Sequence, residues 1–468
     1  MVFSSSIFLF FFLPLVILGY YVLRKNQRIY FLLFASLFFY AWGEPRYILI
    51  MLLSIIINYS FGIAIYKSRI NKLLARRFLF LSVVCNLGIL FYFKYLNFTI
   101  DTVNNIFNTS FALHNIVMPI GISFFTFQGM SYVIDLYWQK INVQKNPAKL
   151  GFYISFFPQL IAGPIVRYID IEDQIYHRTE SIEKFASGAQ RFVIGLTKKV
   201  IIANNAGYIT DLIFANSAVE NTAVTAWLGI ICYAFQIYFD FSGYSDMAIG
   251  LGKLFGFEFH ENFNYPYISR TITEFWRRWH ISMSSWFRDY VYIPLGGNRN
   301  GNVYVNLFFV FVLTGFWHGA SWQFLIWGLW HGLFLIIERL FKIREIKNKN
   351  MFPLRYVFTI LIVLIGWVFF RSPGLHYAFR YLGIMFGLIH PENEGFTVWY
   401  YLTPKVIFLL CLAAAASTPL FKYVFSFFKT RDTVIHKLIT TVLILVLFFI
   451  CIVFVTASSY NPFIYFRF

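Results

Sequence analysis

The residues best suited to chemistry are two histidines that lie among tryptophans. His318 falls in the apolar run Gly315–Trp322, and His280 lies 38 residues upstream, after Trp276 and Trp279. An ionisable side chain in such a segment is costly in hydrocarbon and usually marks a functional site. Neutral imidazole can take a proton from a nucleophile and return it to a leaving group. The pattern therefore predicts proton-transfer chemistry with His318 as the base.

The role of His280 is less specific. It could carry a second proton, orient a reacting group, or serve only the structure. On a continuous helix it would share a face with Trp276, and Glu274 would pair with Arg278 four residues on. For His318 the alternative is a core histidine that bonds to a backbone carbonyl.

A third histidine, His331, lies in a second Trp-His-Gly triplet. On one continuous helix, 13 residues would separate it from His318 by about 20 Å of rise and by more than half a turn beyond whole turns. His331 also lies closer to the basic residue Arg339. We therefore interpret it as a packed histidine that does not share a site with His318.

Polar side chains also interrupt two apolar segments. Asp240 and Asp246 lie in residues 232–250, and an acid there could act in the site or pair with Arg277 or Arg278. Gln128 could line a passage. The four cysteines lie in apolar runs without close spacing, which favours buried thiols over a metal site. The sequence also lacks the motifs of phosphate loops, zinc proteases and serine hydrolases.

The composition is that of a membrane protein. Of 468 residues, 59% are hydrophobic and only 13% charged, against about 25% charged in soluble domains. We expect one integral all-α domain over residues 1–468, whose first helix is retained and not cleaved as a signal.

Backbone broken by proline and glycine predicts a re-entrant core near 117–170, and the polar segment 271–302 predicts an interfacial helix. The clearest spans are 6–23, 29–42, 47–66, 78–96, 353–371, 405–421 and 438–456.

We attribute the net charge of +18 to membrane topology and not to nucleic-acid binding. Four segments between spans hold 17 basic residues, whereas the alternate links and the tail hold only Arg46 and Arg467. This asymmetry places both termini outside the cytoplasm, with attraction to anionic membrane lipids a secondary effect. The basic residues are Arg24, Lys25, Arg28, Lys67, Arg69, Lys72, Arg76, Arg77, Arg339, Lys342, Arg344, Lys347, Lys349, Lys422, Lys429, Arg431 and Lys437.

Several long motifs, in this order along nearly the whole chain, resemble those of the membrane-bound O-acyltransferases. The similarity is to the bacterial branch that includes the alginate O-acetyltransferase membrane subunit and the D-alanyl-lipoteichoic-acid export protein. The motifs are Met118–Gln128, Phe157–Ile165, Asp240–Asp246, Phe275–His280, Trp286–Arg299, Gly315–Gly319 and Asn461–Phe468.

The resemblance implies about 11–13 helices, some re-entrant or interfacial, around a central passage. It places the family's essential histidine on His318 and the branch's other histidine on His280. It also implies a cytoplasmic acyl donor, acetyl-CoA or an acyl carrier protein, and no bound cofactor. The acyl group would pass to a secreted or periplasmic acetyltransferase partner and a polymer acceptor on the outer side of the cytoplasmic (inner) membrane.

We therefore expect an O-acyltransferase, most simply an O-acetyltransferase acting on an exported polysaccharide or cell-wall polymer. Two other classes stay open: a transporter or channel with intramembrane proton-relay residues, and a lipid-linked glycosyltransferase that would use Asp240 or Asp246. A group of basic residues could attract the donor's phosphates, although the enrichment of Lys and Arg on the cytoplasmic side of a membrane would also explain their presence. The candidate binding residues are Arg277, Arg278, Arg288, Arg299, Lys198, Lys199, Trp317, Asp240 and Gln128.

Overall fold

The computed structural model describes residues 1–161, 163–215, 221–343, 351–390, 396–429, 434–457 and 460–462. The described residues are 77% helix and include no strand, so the expectation of an all-α polytopic protein is confirmed. Much of the Asn461–Phe468 motif and the basic residues Arg344, Lys347, Lys349 and Arg431 lie outside the described residues.

Five helical stretches in the described part are long and apolar enough to cross a membrane. Four of them overlap the predicted spans 47–66, 78–96, 353–371 and 438–456, since a span needs about 20 apolar residues. The stretch Ala223–Leu254 was not among the predicted spans. Three shorter apolar helices, Phe8–Val22, Val303–His318 and Pro404–Ala416, accompany them. The five stretches are Ile48–Lys67, Lys72–Phe107, Ala223–Leu254, Phe352–Arg371 and Lys437–Ala457.

The chain forms two compact units, whose border falls within the helices α10 and α12 defined below. The first contains Met1–Phe192 and Tyr244–His260, and the second contains Val193–Gly243 and Glu261–Phe468. The single domain expected over residues 1–468 stays a prediction. Helices that begin in the first unit are α1 Leu13–Val22, α2 Lys25–Gly43, α3 Ile48–Lys67, α4 Lys72–Leu90, α5 Leu96–Phe107, α6 Ile122–Tyr137, α7 Pro147–Ser155, α8 Phe157–Leu160, α9 Tyr168–His177 and α10 Ile182–Thr197.

The second unit contains the candidate catalytic histidines. Its helices, of which α12 ends in the first unit, are α11 Asn204–Ala215, α12 Ala223–Leu254, α13 Ile272–Arg278, α14 Ile281–Phe287, α15 Val303–His318, α16 Trp322–Leu340, α17 Phe352–Arg371, α18 Leu375–Met385, α19 Val398–Tyr401, α20 Pro404–Ala416, α21 Leu420–Lys429 and α22 Val434–Ala457.

Helix packing in the first unit rests on a small polar contact. Asn58 of α3 and Asn86 of α4 are buried and exchange two side-chain hydrogen bonds, each 3.1 Å long. Gly129 of α6 lies so close to Asn58 that an added Cβ would come 2.3 Å from its amide nitrogen. Small residues and paired amides of this kind hold helices together where surrounding lipid is as apolar as the side chains.

The broken backbone expected near residues 117–170 is present. α7 has nine residues and is followed at once by the four-residue α8. At 1.5 Å per residue, α7 covers about 14 Å, well short of a hydrocarbon core of about 30 Å. Its residues from Leu150 onward are buried, so protein shields this interrupted segment. Its re-entry into a membrane stays a prediction.

Candidate active site

The α15–α16 hairpin holds His318. Helix α15 ends at His318, and α16 begins at Trp322 after an extended Gly319. Gly315 and Gly328 let the two backbones touch, since a Cβ on Gly328 would lie 2.3 Å from the carbonyl oxygen of Phe311 and 3.0 Å from Cα of Gly315. The assumption of one continuous helix through His318 and His331 is therefore wrong.

His318 is enclosed by aromatic rings. Its exposed fraction is 6%. Its ring centroid lies 4.8 Å from Trp317, 4.8 Å from Trp327 and 5.3 Å from Phe370, and each contact is edge-on. An enclosure of this kind keeps most water away from a ring, and burial in general disfavours the charged imidazolium.

His280 lies at a break between two short helices and not within one helix as its spacing suggested. Helix α13 ends at Arg278, and His280 adopts a left-handed backbone with φ of 42°. The predicted pair of Glu274 and Arg278 is confirmed at 2.9 Å. The predicted shared face of Trp276 and His280 is wrong, because the helix stops between them. A left-handed non-glycine residue is strained, and such strain concentrates at functional sites.

Residues 262–264 support this break. The backbone nitrogen of Ile281 donates to the carbonyl of Asn262, and that of Asn264 donates to the carbonyl of Arg278. The side-chain oxygen of Asn262 accepts from the backbone and hydroxyl of Ser282, at 3.2 and 2.9 Å. Sequence reasoning did not identify Asn262, since nothing in its neighbourhood marks it as a partner of His280.

The hydrogen bond to Asn262 determines which ring nitrogen of His280 carries the proton. Nδ1 of the fully buried His280 lies 3.2 Å from the same Asn262 oxygen. Because that oxygen is an acceptor, Nδ1 carries the proton and Nε2 carries the lone pair in the neutral ring. Burial lowers the pKa of His280 to about 3, so the ring is neutral near pH 7 and can accept a proton but not supply one.

Two tryptophans link the three histidines. Trp317 lies 5.9 Å from the His280 ring and 4.8 Å from the His318 ring. Trp327 lies 4.8 Å from His318 and 5.4 Å from His331. The sequence placed His331 away from His318, whereas the hairpin leaves one indole ring in contact with both. His331 is fully buried, and neither of its ring nitrogens has a hydrogen-bond partner within the described residues.

A buried carboxylate on α16 anchors α13. Glu338 accepts from the backbone nitrogens of Ile272 and Thr273 and from the Thr273 hydroxyl, the last two at 2.9 and 2.8 Å. A negative charge at a helix N-terminus is stabilised by the free N–H groups and the helix dipole. This contact ties the segment before His280 to the helix after His318. Sequence reasoning missed Glu338 because it resembles an ordinary helix-end charge.

The four candidate arginines have different surroundings. Arg277 is exposed on α13, and Arg299 is exposed in the turn that follows Pro294. Arg278 pairs with Glu274 and also donates to the carbonyl of Asn264. Arg288 is exposed and pairs with its neighbour Asp289 at 2.6 Å. Arg277 and Arg299 thus present the cations least occupied by carboxylates.

Asp240 pairs with a lysine and not with the arginines at 277 or 278. Its carboxylate lies 2.6 Å from Nζ of Lys199, and the two side chains are only 3% and 2% exposed. Lys199 also donates to the backbone carbonyl of Pro462. Its neighbour Lys198 is partly exposed. In the first unit, Asp246 pairs with Arg191 at 2.6 Å.

Gln128 lies on α6 in the first unit. Its side chain is fully buried, and neither its amide oxygen nor its amide nitrogen has a hydrogen-bond partner within the described residues. Buried amides rarely lack partners, so Gln128 stays a candidate for contact with a substrate. The described residues contain no cluster of three or more His, Cys, Asp or Glu side chains that could hold a metal ion.

Comparison with known proteins decides the family. Residues 141–379 match the model of the membrane-bound O-acyltransferase family, and this stretch contains His280, His318 and His331. The chain belongs to the membrane-bound O-acyltransferase family. It is therefore an O-acyltransferase and a multi-pass membrane protein.

Three relatives illustrate the range of the family. A probable alginate O-acetylase of Pseudomonas putida is 41% identical over the full length of both chains. A peptidoglycan O-acetyltransferase of Helicobacter pylori is 37% identical over 83% of this chain and 80% of its own. A teichoic acid D-alanyltransferase of Bacillus subtilis is 31% identical over 55% of this chain and 67% of its own.

Proposed function

We propose that this O-acyltransferase moves an acetyl group from a cytoplasmic thioester to the outer side of the membrane for modification of an exported polysaccharide. The full-length similarity to a probable alginate O-acetylase supports the acetyl group and the polysaccharide. The observation that carries the chemistry is His318, a buried imidazole enclosed by rings at the end of an apolar helix.

His318 acts as the general base in this proposal. It takes the proton from an acceptor hydroxyl as that oxygen attacks the thioester carbonyl. A carbon–oxygen bond forms, the carbon–sulfur bond breaks, and the proton returns from the imidazolium to the departing thiolate. The base must begin neutral, which the aromatic enclosure of His318 favours.

His280 assists from the other side of Trp317. With Nδ1 donating to Asn262, its Nε2 can accept a proton or a hydrogen bond. The strained backbone at His280 aims the ring toward Phe241 and Trp317, with centroids 4.6 and 5.9 Å away. Trp317 would hold both imidazoles in place and exclude water that could hydrolyse the thioester.

The donor's phosphates would bind at the exposed arginines. Arg277, Arg288 and Arg299 are exposed near the His280 segment in sequence, and guanidinium groups bind phosphate well. Arg278 contributes less because Glu274 already occupies it. We assign Lys199 and Asp240 to the structure of the second unit, because each neutralises the other in a buried position. Lys198 is partly exposed and is a further candidate cation for the donor.

The basic segments support an inner-membrane orientation with both termini outside the cytoplasm. Under this orientation the acyl donor, acetyl-CoA or an acyl carrier protein, meets the protein on its cytoplasmic side. The polymer and a secreted or periplasmic acetyltransferase meet it on the other side.

The proposal is tested by measuring acetyl esters on the exported polysaccharide of cells that carry wild-type protein, His318→Asn or His376→Asn. His376 is an exposed histidine on α18 and serves as the matched control. We expect esters to disappear with His318→Asn and to persist with His376→Asn, while polymer yield stays unchanged. Loss of the polymer itself in an Asp240 or Asp246 variant, with esters retained in His318→Asn, would support a glycosyltransferase instead.

A further inference from the structure

A cavity of about 410 Å³ opens in the first unit where α3 meets α4. It is lined by the end of α3, the turn to α4, and the chain that follows α6. The lining includes the apolar side chains Ile65, Leu136 and Ile141 and also the cations Arg69 and Lys72. The volume falls in the range typical of small-ligand sites.

The depth of this cavity follows from the helices that form it. α3 is a membrane-span candidate that ends at Lys67, and the next candidate begins at Lys72. Arg69 lies between these two ends. The cavity therefore lies where apolar spans give way to water, which is the level of lipid head groups.

Two cations lie near the ring of Tyr66, which is one of the lining residues. The guanidinium of Arg69 lies 4.8 Å from the ring centroid of Tyr66, and Nζ of Lys145 lies 5.9 Å from the same centroid. Within the described residues, Arg69, Lys72 and Lys145 form no ion pair with a carboxylate. Like charges gathered without a counter-ion repel one another, so an anion bound there would be stabilised.

Two acids in the neighbouring segments already have partners. Asp135 lies 3.9 Å from Nζ of Lys140, and the carboxylate of Glu172 accepts from the backbone nitrogen of Asn142 at 3.0 Å. Neither acid belongs to the lining, whose charged residues are Arg69 and Lys72.

We propose that this cavity binds the phosphate head group of an anionic membrane phospholipid. The cations hold the phosphate, and the apolar side accepts the glycerol and the start of an acyl chain. A soluble phosphate would contact only the polar residues of the lining, and it would have no need of a site at the level of the lipid head groups. Basic pockets between membrane helices bind anionic head groups in this way. The inference does not depend on the proposed acetyl transfer.

The test compares phosphatidylglycerol and phosphatidylcholine binding to purified protein in detergent, by native mass spectrometry and lipid titration. The variants are Arg69→Ala/Lys72→Ala and, as the matched control, Arg76→Ala/Arg77→Ala, which removes two exposed arginines from α4 outside the lining. We expect the first to weaken phosphatidylglycerol binding roughly 30-fold and the control to leave the cavity-bound lipid in place.

Three results would overturn the inference. The control variant could weaken binding as much as the cavity variant, which would indicate diffuse surface charge. Phosphatidylcholine could bind as tightly as phosphatidylglycerol. Inorganic phosphate or CoA could displace the lipid at concentrations below that of the lipid, which would make a soluble phosphate compound the occupant. Thermal unfolding of each variant verifies folding, and Arg69→Gln/Lys72→Gln replaces the alanine variant if it unfolds early.

Discussion

Removal of one member of the buried pair Lys199–Asp240 should destabilise the protein far more than removal of both. The two charged atoms are 2.6 Å apart, and the side chains are almost fully buried. An uncompensated buried charge costs about 3–5 kcal/mol, whereas neutral replacement of the whole pair is often nearly neutral. We therefore expect Lys199→Met and Asp240→Asn each to lose about 3–5 kcal/mol of unfolding free energy.

The double variant Lys199→Met/Asp240→Asn should recover most of this loss. Because Lys199 also donates to the carbonyl of Pro462, a deficit of about 1 kcal/mol should persist for that hydrogen bond. For the same reason Lys199→Met should be the costlier single change. The measurement is denaturant unfolding in a mild detergent, followed by tryptophan fluorescence, together with acyl-transfer activity of each variant.

The activity readout separates a structural from a chemical role of Asp240. If the pair only holds the second unit together, the double variant regains activity along with stability. A double variant as stable as wild type but inactive would refute the structural assignment and return Asp240 to the site. Single variants with wild-type stability would refute the buried ion pair itself.

Three further predictions follow from the hairpin, the third histidine and an ion cluster. Gly328→Ala should lower the unfolding free energy by about 1–3 kcal/mol through overpacking and reduce acyl transfer, since its Cβ would meet the Phe311 carbonyl at 2.3 Å. The control Gly88→Ala on α4, whose Cβ would have nothing within 4 Å, should cost nothing. Equal losses for the two variants in thermal-unfolding and activity assays would contradict this expectation. His331→Leu should keep the rate of acyl transfer within about threefold of wild type. The reason is that its ring nitrogens make no hydrogen bond within the described residues, and a buried polar group without a partner adds no stability. A hundredfold fall in the rate of acyl transfer would show a chemical role for His331. Burial raises the pKa of Glu180, but hydrogen bonds from Tyr20 and Arg28 and the charge of Arg178 lower it more, so the folded-state pKa lies below 4.5. The carboxylate therefore stabilises the fold above about pH 4.5, and this stabilisation is lost as pH falls through the folded-state pKa. Glu180→Gln should destabilise the protein most at pH 7 and progressively less as pH is lowered below 4.5, and a loss of unfolding free energy that does not change with pH would refute the linkage.

The sequence predicted well those features that depend on local composition. The span of α3 follows from a mostly apolar run of 20 residues, and the break after α7 follows from Pro158 beside an apolar run. His318 could be singled out because an ionisable side chain in an apolar run is rare. The pair of Glu274 and Arg278 needed only helical spacing.

Features that depend on tertiary contacts escaped the sequence. The partner of Asp240 is Lys199 and not an arginine, because helix packing and not chain distance decides which charges meet. The left-handed turn at His280 arises from bonds to residues 262–264, which no local pattern reveals. Helical spacing also failed for His331, since the chain reverses after Gly319 and brings Trp327 against both histidines.

The most direct test of His318 as the base is the release of free thiol from acetyl-CoA or an acetylated carrier protein by purified protein with an acceptor present. We expect His318→Asn to slow thiol release by about 100-fold or more and His376→Asn to match wild type. Undiminished thiol release by correctly folded His318→Asn would contradict the central claim.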